Sequence, residues 1–339
     1  MLKHLLVLLF LPIIFVTGCS VSQKALEENS ILPNYSLLYI IHGDANYTYH
    51  MDSMRLNADK EALEEAIKVA EKSLNGEVFI FHQKEEKRRF FFFPKKDRVL
   101  YHYKGGKLIG KERYSPYGGG LVKEAELFEE KSTEGVKKKF MFYYGHEIPS
   151  DPSLVYHQSF PDHIFNTEVF TSDISLFGKS FDLLVLSTCN NGNPLMANKL
   201  LGKTSFMIAS PRNLHLSYIR SDKVNLIEED PEISTEAIAD SIAKSSFNRL
   251  SGRLQTMVTI GVYNLEKIGS YISDHSNRYE GHLKDIEQKT LFRDNVDCNI
   301  LDVFTEDRLS EQGAYLYYRS PAFGRESGKK SHSVWGCKN

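Results

Sequence analysis

Residues Phe181 to Pro194 read FDLLVLSTCNNGNP. An apolar run of strand length, suited to burial on both faces of a sheet, passes into Thr188 and Cys189 and then into a cluster of turn-forming residues. In an open parallel sheet, ligands bind beyond the carboxyl ends of the strands, because there the ladder stops and the loops converge. A cysteine at that point is either a small packed residue or a nucleophile presented at a strand tip. The residues around it decide between the two.

The same apolar-run-then-polar-exit pattern recurs along the chain. YSLLYII at 35 to 41 ends in His42, Gly43 and Asp44; VFIFH spans 78 to 82; KFMFYY at 139 to 144 ends in Gly145, His146 and Glu147; TSFMIAS covers 204 to 210 and TMVTIGV covers 256 to 262. Helical patterns separate them. After the first strand, Leu63, Ala66, Ile67, Ala70 and Leu74 share one face, Asn57 or Asp59 can cap the start, and Asn75-Gly76 stops the helix. A second helix is expected from Ser234, its cap, to Leu250, with Ile238, Ile242 and Phe247 inward, and a third from Asn264 with Leu265, Ile268 and Ile272. Strands alternating with helices predict an α/β fold with a mostly parallel central sheet of about six strands and crossover helices. From Arg88 to Arg113 basic and aromatic residues alternate around two turn signals, Pro94 to Asp97 and Gly105-Gly106, which predicts an antiparallel β-meander insertion. Beyond about residue 285 the pattern weakens, so the domain is placed at 35–285 and residues 286–339 are read as a C-terminal extension, an accessory lobe or a cover over the sheet.

Composition narrows the function classes. Of 339 residues, 41% are hydrophobic and 25% charged, with a net charge of -2, the profile of a globular chain. The basic runs at 87–89 and 137–139 have acidic neighbours, which leaves no electrostatic footprint for nucleic acid. There is no HExxH, CxxC, Walker or GxGxxG spacing and no EF-hand ligand series, and Gly118 to Gly120 reads as a flexible loop.

At the N-terminus, Lys3 and His4 precede LLVLLFLPIIFV, too short for a comfortable membrane span and suited to a signal peptide over 1–18. Val16-Thr17-Gly18-Cys19-Ser20 resembles the lipobox of bacterial lipoproteins, which implies that Cys19 is lipidated, that 19–34 is a polar tether, and that the protein is exported and lipid-anchored in the cell envelope, with Ser20 leaning toward the outer membrane. Three cysteines then remain. Cys298 and Cys337, both in the C-terminal extension, are the expected disulfide, leaving Cys189 as the free thiol.

His146 and Cys189 follow the third and fourth central strands. If those strands are neighbours, roughly 5 Å apart, both side chains open into one cleft, where an imidazole can shuttle the proton while a thiolate attacks a carbonyl carbon. This order, a strand ending in His and then a strand ending in Cys189-Asn190-Asn191-Gly192, resembles the caspase-like cysteine peptidases, and specifically the clostripain branch. YIIHGDANYTYHMD, ASPRNLHLSYI and VTIGVYNLEKIGSYI are similar to the opening, the loop after the fifth strand and the sixth strand with its helix in that branch; the related CHAT domains share the LSTCNNG style of cysteine strand.

The resemblance implies a three-layer α/β/α sandwich and peptide or protein substrates. It also implies a dyad of Cys189 as nucleophile and His146 as proton shuttle, with an oxyanion hole formed by the backbone N–H groups of Cys189 and Glu147. Two positions depart from the family pattern: Glu147 stands where Gly usually follows the histidine, and Ser187 stands where relatives that cleave after basic residues often have Asp. Asp44, Ser187 and Arg212 are the candidate substrate-binding residues, His42 is a rival for the catalytic histidine, and His215 has low standing. Calcium accompanies some relatives, but no ligands are assignable and no cofactor is expected. The alternative reading is a binding lipoprotein that keeps the fold without the activity.

Overall fold

The computed structural model describes residues 32–43, 48–51, 53–84, 97–115, 120–150, 165–214, 219–288 and 313–335. The signal segment, tether residues 19–31, Asp44, His215, and the expected Cys298–Cys337 pair lie outside them. In chain order the elements are β1 (Tyr35–His42), β2 (Thr48–Met51), β3 (Met54–Asn57), α1 (Ala58–Lys72), β4 (Gly76–Gln83), β5 (Arg98–Lys104), β6 (Lys107–Tyr114), α2 (Val122–Lys131) and β7 (Lys138–Gly145). These are followed by α3 (Thr167–Ile174), β8 (Phe181–Ser187), α4 (Pro194–Lys199), β9 (Thr204–Ala209), α5 (Leu226–Glu229), α6 (Thr235–Arg253), β10 (Val258–Asn264), α7 (Leu265–Gln288) and β11 (Ala314–Arg319).

A nine-stranded sheet runs in the order β11-β10-β9-β8-β7-β1-β4-β5-β6. The five strands from β9 to β4 are parallel, and β5, β6, β10 and β11 are added antiparallel at the two edges. The expected six strands are all present. The three extra ones have identifiable sources. Gly105 and Gly106, both at positive φ (57° and 75°), make the tight turn that folds β5 onto β6, and this hairpin extends the sheet beyond β4. The third is β11, from the C-terminal extension, which pairs with β10. The segment past residue 285 therefore contributes to the sheet itself, and Val334 and Trp335 are buried in its core.

Every residue of β1 is buried, and alternate side chains enter different layers: Leu38 and Ile40 pack on one face of the sheet, Leu37, Tyr39 and Ile41 on the other. A strand covered on both sides has no polar face to show, which is why these segments read as continuous apolar runs. Helices α2, α3, α4 and α7 cover the first face through Ala125, Phe170, Met196 and Ile268 among others. On the second face, α1 and α6 pack through Ala66, Val69, Ile238 and Ile242. The result is the three-layer α/β/α sandwich. Each large apolar side chain buried here contributes about 1.5–3 kcal/mol.

Local chemistry sets the helix ends. The Asn57 side chain accepts the Lys60 N–H at 2.9 Å to start α1, and Ser234 does the same for Ala237 at 3.1 Å to start α6. The α1 helix ends earlier than the sequence pattern suggested: Ser73 is its C-cap, so Leu74, expected on the buried face, is 67% exposed. At the sheet's outer edge, β6 carries Lys107, Lys111 and Arg113, charges that discourage pairing with another chain.

Candidate active site

Strands β7 and β8 are neighbours, and their register pairs Phe140 with Leu183 and Tyr144 with Ser187. The loops that follow keep the same offset. Asn190 Nδ2 donates to Glu147 Oε2 at 2.7 Å, and Asn191 bonds Ile148, each partner 43 positions from the other. Two residue pairs lie between the last ladder rung and these loop contacts, Gly145 with Thr188 and His146 with Cys189. They leave adjacent strands at one level, and on both strands that level is where burial ends: the chain is buried through Tyr144 and through Thr188, then half-buried at 145–147 and 189–190.

Each residue of Thr188-Cys189-Asn190-Asn191-Gly192-Asn193-Pro194 has a structural task. Asn191 is 1% exposed; its Oδ1 accepts the Ile148 N–H at 3.0 Å and the Thr188 hydroxyl at 2.6 Å, while Nδ2 donates to the Ile148 carbonyl at 2.9 Å. The side chain thus replaces a strand partner and prolongs the β7–β8 connection past its end. Asn190 has φ of 54°, a left-handed conformation that asparagine tolerates better than most residues. A Cβ on Gly192 would lie 2.6 Å from the Tyr263 hydroxyl and 2.7 Å from the Pro211 nitrogen, so only glycine fits. Asn193 Oδ1 accepts the Met196 N–H at 2.9 Å, capping α4 with Pro194 in its first turn.

The loop after β9 closes the third side. The Asn190 N–H donates to the Arg212 carbonyl at 3.2 Å, the Gly192 N–H to the Ser210 carbonyl at 2.9 Å, and Asn190 Nδ2 to Asn213 Oδ1 at 3.1 Å. Arg212 is half-buried and meets the cysteine loop through its backbone. Ser187 is buried at 7% exposure, its hydroxyl accepting the Ile219 N–H at 2.8 Å, so it faces the packed layer and anchors the far end of this loop. Behind the loop, the Tyr263 hydroxyl lies 3.3 Å from the Gly192 carbonyl and donates to the Val334 carbonyl at 2.7 Å, and its ring stacks on Trp335 at 5.1 Å.

Cys189 is half-buried and is a free thiol. Burial pushes its pKa above the ordinary thiol value, and the Leu214 N–H, donating to the sulfur, partly offsets this. At neutral pH the group is a thiol, and its use as a nucleophile requires a base. His42 sits opposite Gly145 in the β1–β7 register but is 3% exposed, with Nε2 3.4 Å from Glu124 Oε1 and its ring edge-on to Tyr143 at 6.3 Å. Glu124 is fully buried and also accepts from Arg98 and from the Tyr114 hydroxyl, the latter at 2.8 Å. Burial alone would raise its pKa, but Arg98, with His42 and Tyr114, holds it down at about 2. His42 belongs to this buried ionic cluster.

The overall fold is similar to those of solved structures. Two are of a secreted C11 cysteine protease from Bacteroides thetaiotaomicron. One, in complex with an irreversible peptide inhibitor, has a TM-score of 0.52 and 12% identity over 73% of this chain and 71% of that one. The other, termed iotapain, has a TM-score of 0.50 and 13% identity over 76% and 71%. An inactive zymogen C11 protease from Parabacteroides distasonis gives a TM-score of 0.51 and 14% identity over 73% of this chain and 66% of that one. The chain has the clostripain-type, caspase-like fold. No protein-family model and no curated protein matches it.

His146, Glu147 and Cys189 follow the carboxyl ends of the neighbouring strands β7 and β8. Ser187 is the last residue of β8, and Arg212 lies in the loop after β9. Sequence reading did not single out Asn191, Asn193, Leu214 or Tyr263; the only trace was the density of turn formers in NNGNP. Among the described residues no group of three or more His, Cys, Asp or Glu gathers to hold a metal ion. No helix among them is long and apolar enough to cross a membrane.

Proposed function

We propose that the protein is an exported, lipid-anchored cysteine endopeptidase, with Cys19 as the anchor and Cys189 and His146 as the dyad. The observation that carries the reading is the constant offset that runs from the β7–β8 ladder through Glu147–Asn190 and Ile148–Asn191, with His146 and Cys189 as the pair next to the first loop contact. Secretion and peptide-directed inhibition of a C11 protease of the same fold support export and a peptide substrate.

In this mechanism Cys189 Sγ attacks the scissile carbonyl carbon as its proton passes to the His146 imidazole. The carbonyl π electrons move to oxygen, and the backbone N–H groups of Cys189 and Glu147 hold the oxyanion, donors commonly worth about 3–4 kcal/mol each in the transition state. Collapse of the tetrahedral intermediate breaks the C–N bond, and the departing amine takes the proton from His146. Water then attacks the thioester, gives its proton to His146, and the thiol is regenerated as the carboxylic acid leaves. Asp44 and Arg212 remain the candidate substrate-binding residues, and Ser187 contributes by fixing Ile219.

The raised thiol pKa and the carboxylate at position 147 favour the second reading, a binding lipoprotein that keeps the fold. Mass spectrometry of products from a peptide library separates the two. Cleavage by the wild type that disappears in Cys189→Ala supports the peptidase; an intact library, or equal cleavage by both, refutes it.

A further inference from the structure

Asn190, which follows the proposed nucleophile, bonds to the loops after β7 and β9. Its Nδ2 donates to Glu147 Oε2 at 2.7 Å and to Asn213 Oδ1 at 3.1 Å, its N–H donates to the Arg212 carbonyl at 3.2 Å, and its carbonyl accepts from Asn193 Nδ2 at 2.8 Å. The left-handed backbone at φ 54° would be met by glycine at lower steric cost. A side chain held by partners on two neighbouring loops therefore does something the backbone alone does not need.

Glu147 poses the complementary problem. A carboxylate beside a forming oxyanion opposes it electrostatically unless the side chain is held elsewhere. Asn190 supplies that hold, since its amide N–H group captures Oε2. The two residues that carry this bond are Glu147 itself and the neighbour of Cys189, so the bond spans the two backbone N–H groups assigned to the oxyanion hole. We propose that Glu147 and Asn190 form a clasp that sets the spacing of those two donors and keeps the carboxylate off the developing charge, making both side chains positioning residues.

This inference rests on the peptidase reading, and a polarity swap tests it without confusing the two. Asn190→Asp sets two carboxylates face to face; adding Glu147→Gln restores one donor and one acceptor in reversed order. The clasp predicts that Asn190→Asp lowers kcat by at least about tenfold with KM within about twofold, and that the double variant recovers to within about threefold of wild type. Melting temperature follows the same cycle, falling by about 2–4 °C in Asn190→Asp and returning in the double variant. Wild-type kinetics in Asn190→Asp, or a double variant no better than Asn190→Asp in either measurement, overturns the clasp. Absence of hydrolysis by the wild type sinks the peptidase reading only, and the melting cycle then decides the clasp by itself.

Discussion

Asn191 bonds both backbone groups of Ile148, accepting its N–H at 3.0 Å and donating to its carbonyl at 2.9 Å, so one side chain locks the loop after β7 to the loop after β8. Both partners are buried. Asn191→Ala leaves the Ile148 groups and the Thr188 hydroxyl without this partner, each orphan costing about 1–3 kcal/mol. We expect a lowered melting temperature and a loss of hydrolysis larger than the loss of folded protein, measured by calorimetry and by kcat/KM on the folded fraction.

Gly192 predicts a second outcome. A methyl group there meets the Tyr263 hydroxyl at 2.6 Å and the Pro211 and Ser210 backbone at 2.7 and 2.9 Å. Gly192→Ala must shift the cysteine loop or the β9 exit, with overpacking costs of about 1–3 kcal/mol. Hydrolysis should fall while denaturant unfolding remains cooperative with a lower midpoint.

The Arg98–Glu124–Tyr114–His42 cluster makes stability depend on acid. With its pKa held at about 2 in the fold against an ordinary value of 4.5, Glu124 contributes stability that is complete above the ordinary value and is lost as pH falls toward 2. Glu124→Gln removes this dependence and leaves Arg98 buried without its counter-charge, a change of about 3–5 kcal/mol. Melting curves from neutral pH down should show wild type losing stability through that acidic window and the variant already low at neutral pH and flatter.

Cys189 gives a pH prediction of its own. Burial holds the thiol protonated above the ordinary value of 9.0, so alkylation by iodoacetamide should be slower at neutral pH than for an exposed cysteine and should climb only above the ordinary range. A rate already at its plateau below pH 7 would mean that the thiolate is preformed.

Much of this architecture is legible in the sequence, because strands buried on both faces leave unbroken apolar runs. YSLLYII, KFMFYY and FDLLVLS are such runs, and each is a central strand. Strand direction leaves no such trace: TMVTIGV reads the same whether parallel or antiparallel, and β10, which it overlaps, proves antiparallel to β9. Edge elements are harder still. AYLYYR of β11 is half-buried beyond Ala314, and VKEAELFEEK of α2 hides Glu124 at 0% exposure among charges that look solvated. At the site, His146 and Cys189 are visible as polar exits from strands, whereas the role of Asn191 depends on a partner 43 positions away and on a register that only the folded sheet supplies.

The most direct test of the account is to treat wild type, Cys189→Ala and His146→Ala with a thiol-directed peptide probe at neutral pH and locate the adduct by peptide mapping. The account predicts a single adduct on Cys189 in wild type, none in Cys189→Ala, and labelling slowed by about 100-fold or more in His146→Ala, within the range that removing a general base produces. Equal labelling with and without His146, or an adduct elsewhere in the chain, would contradict it.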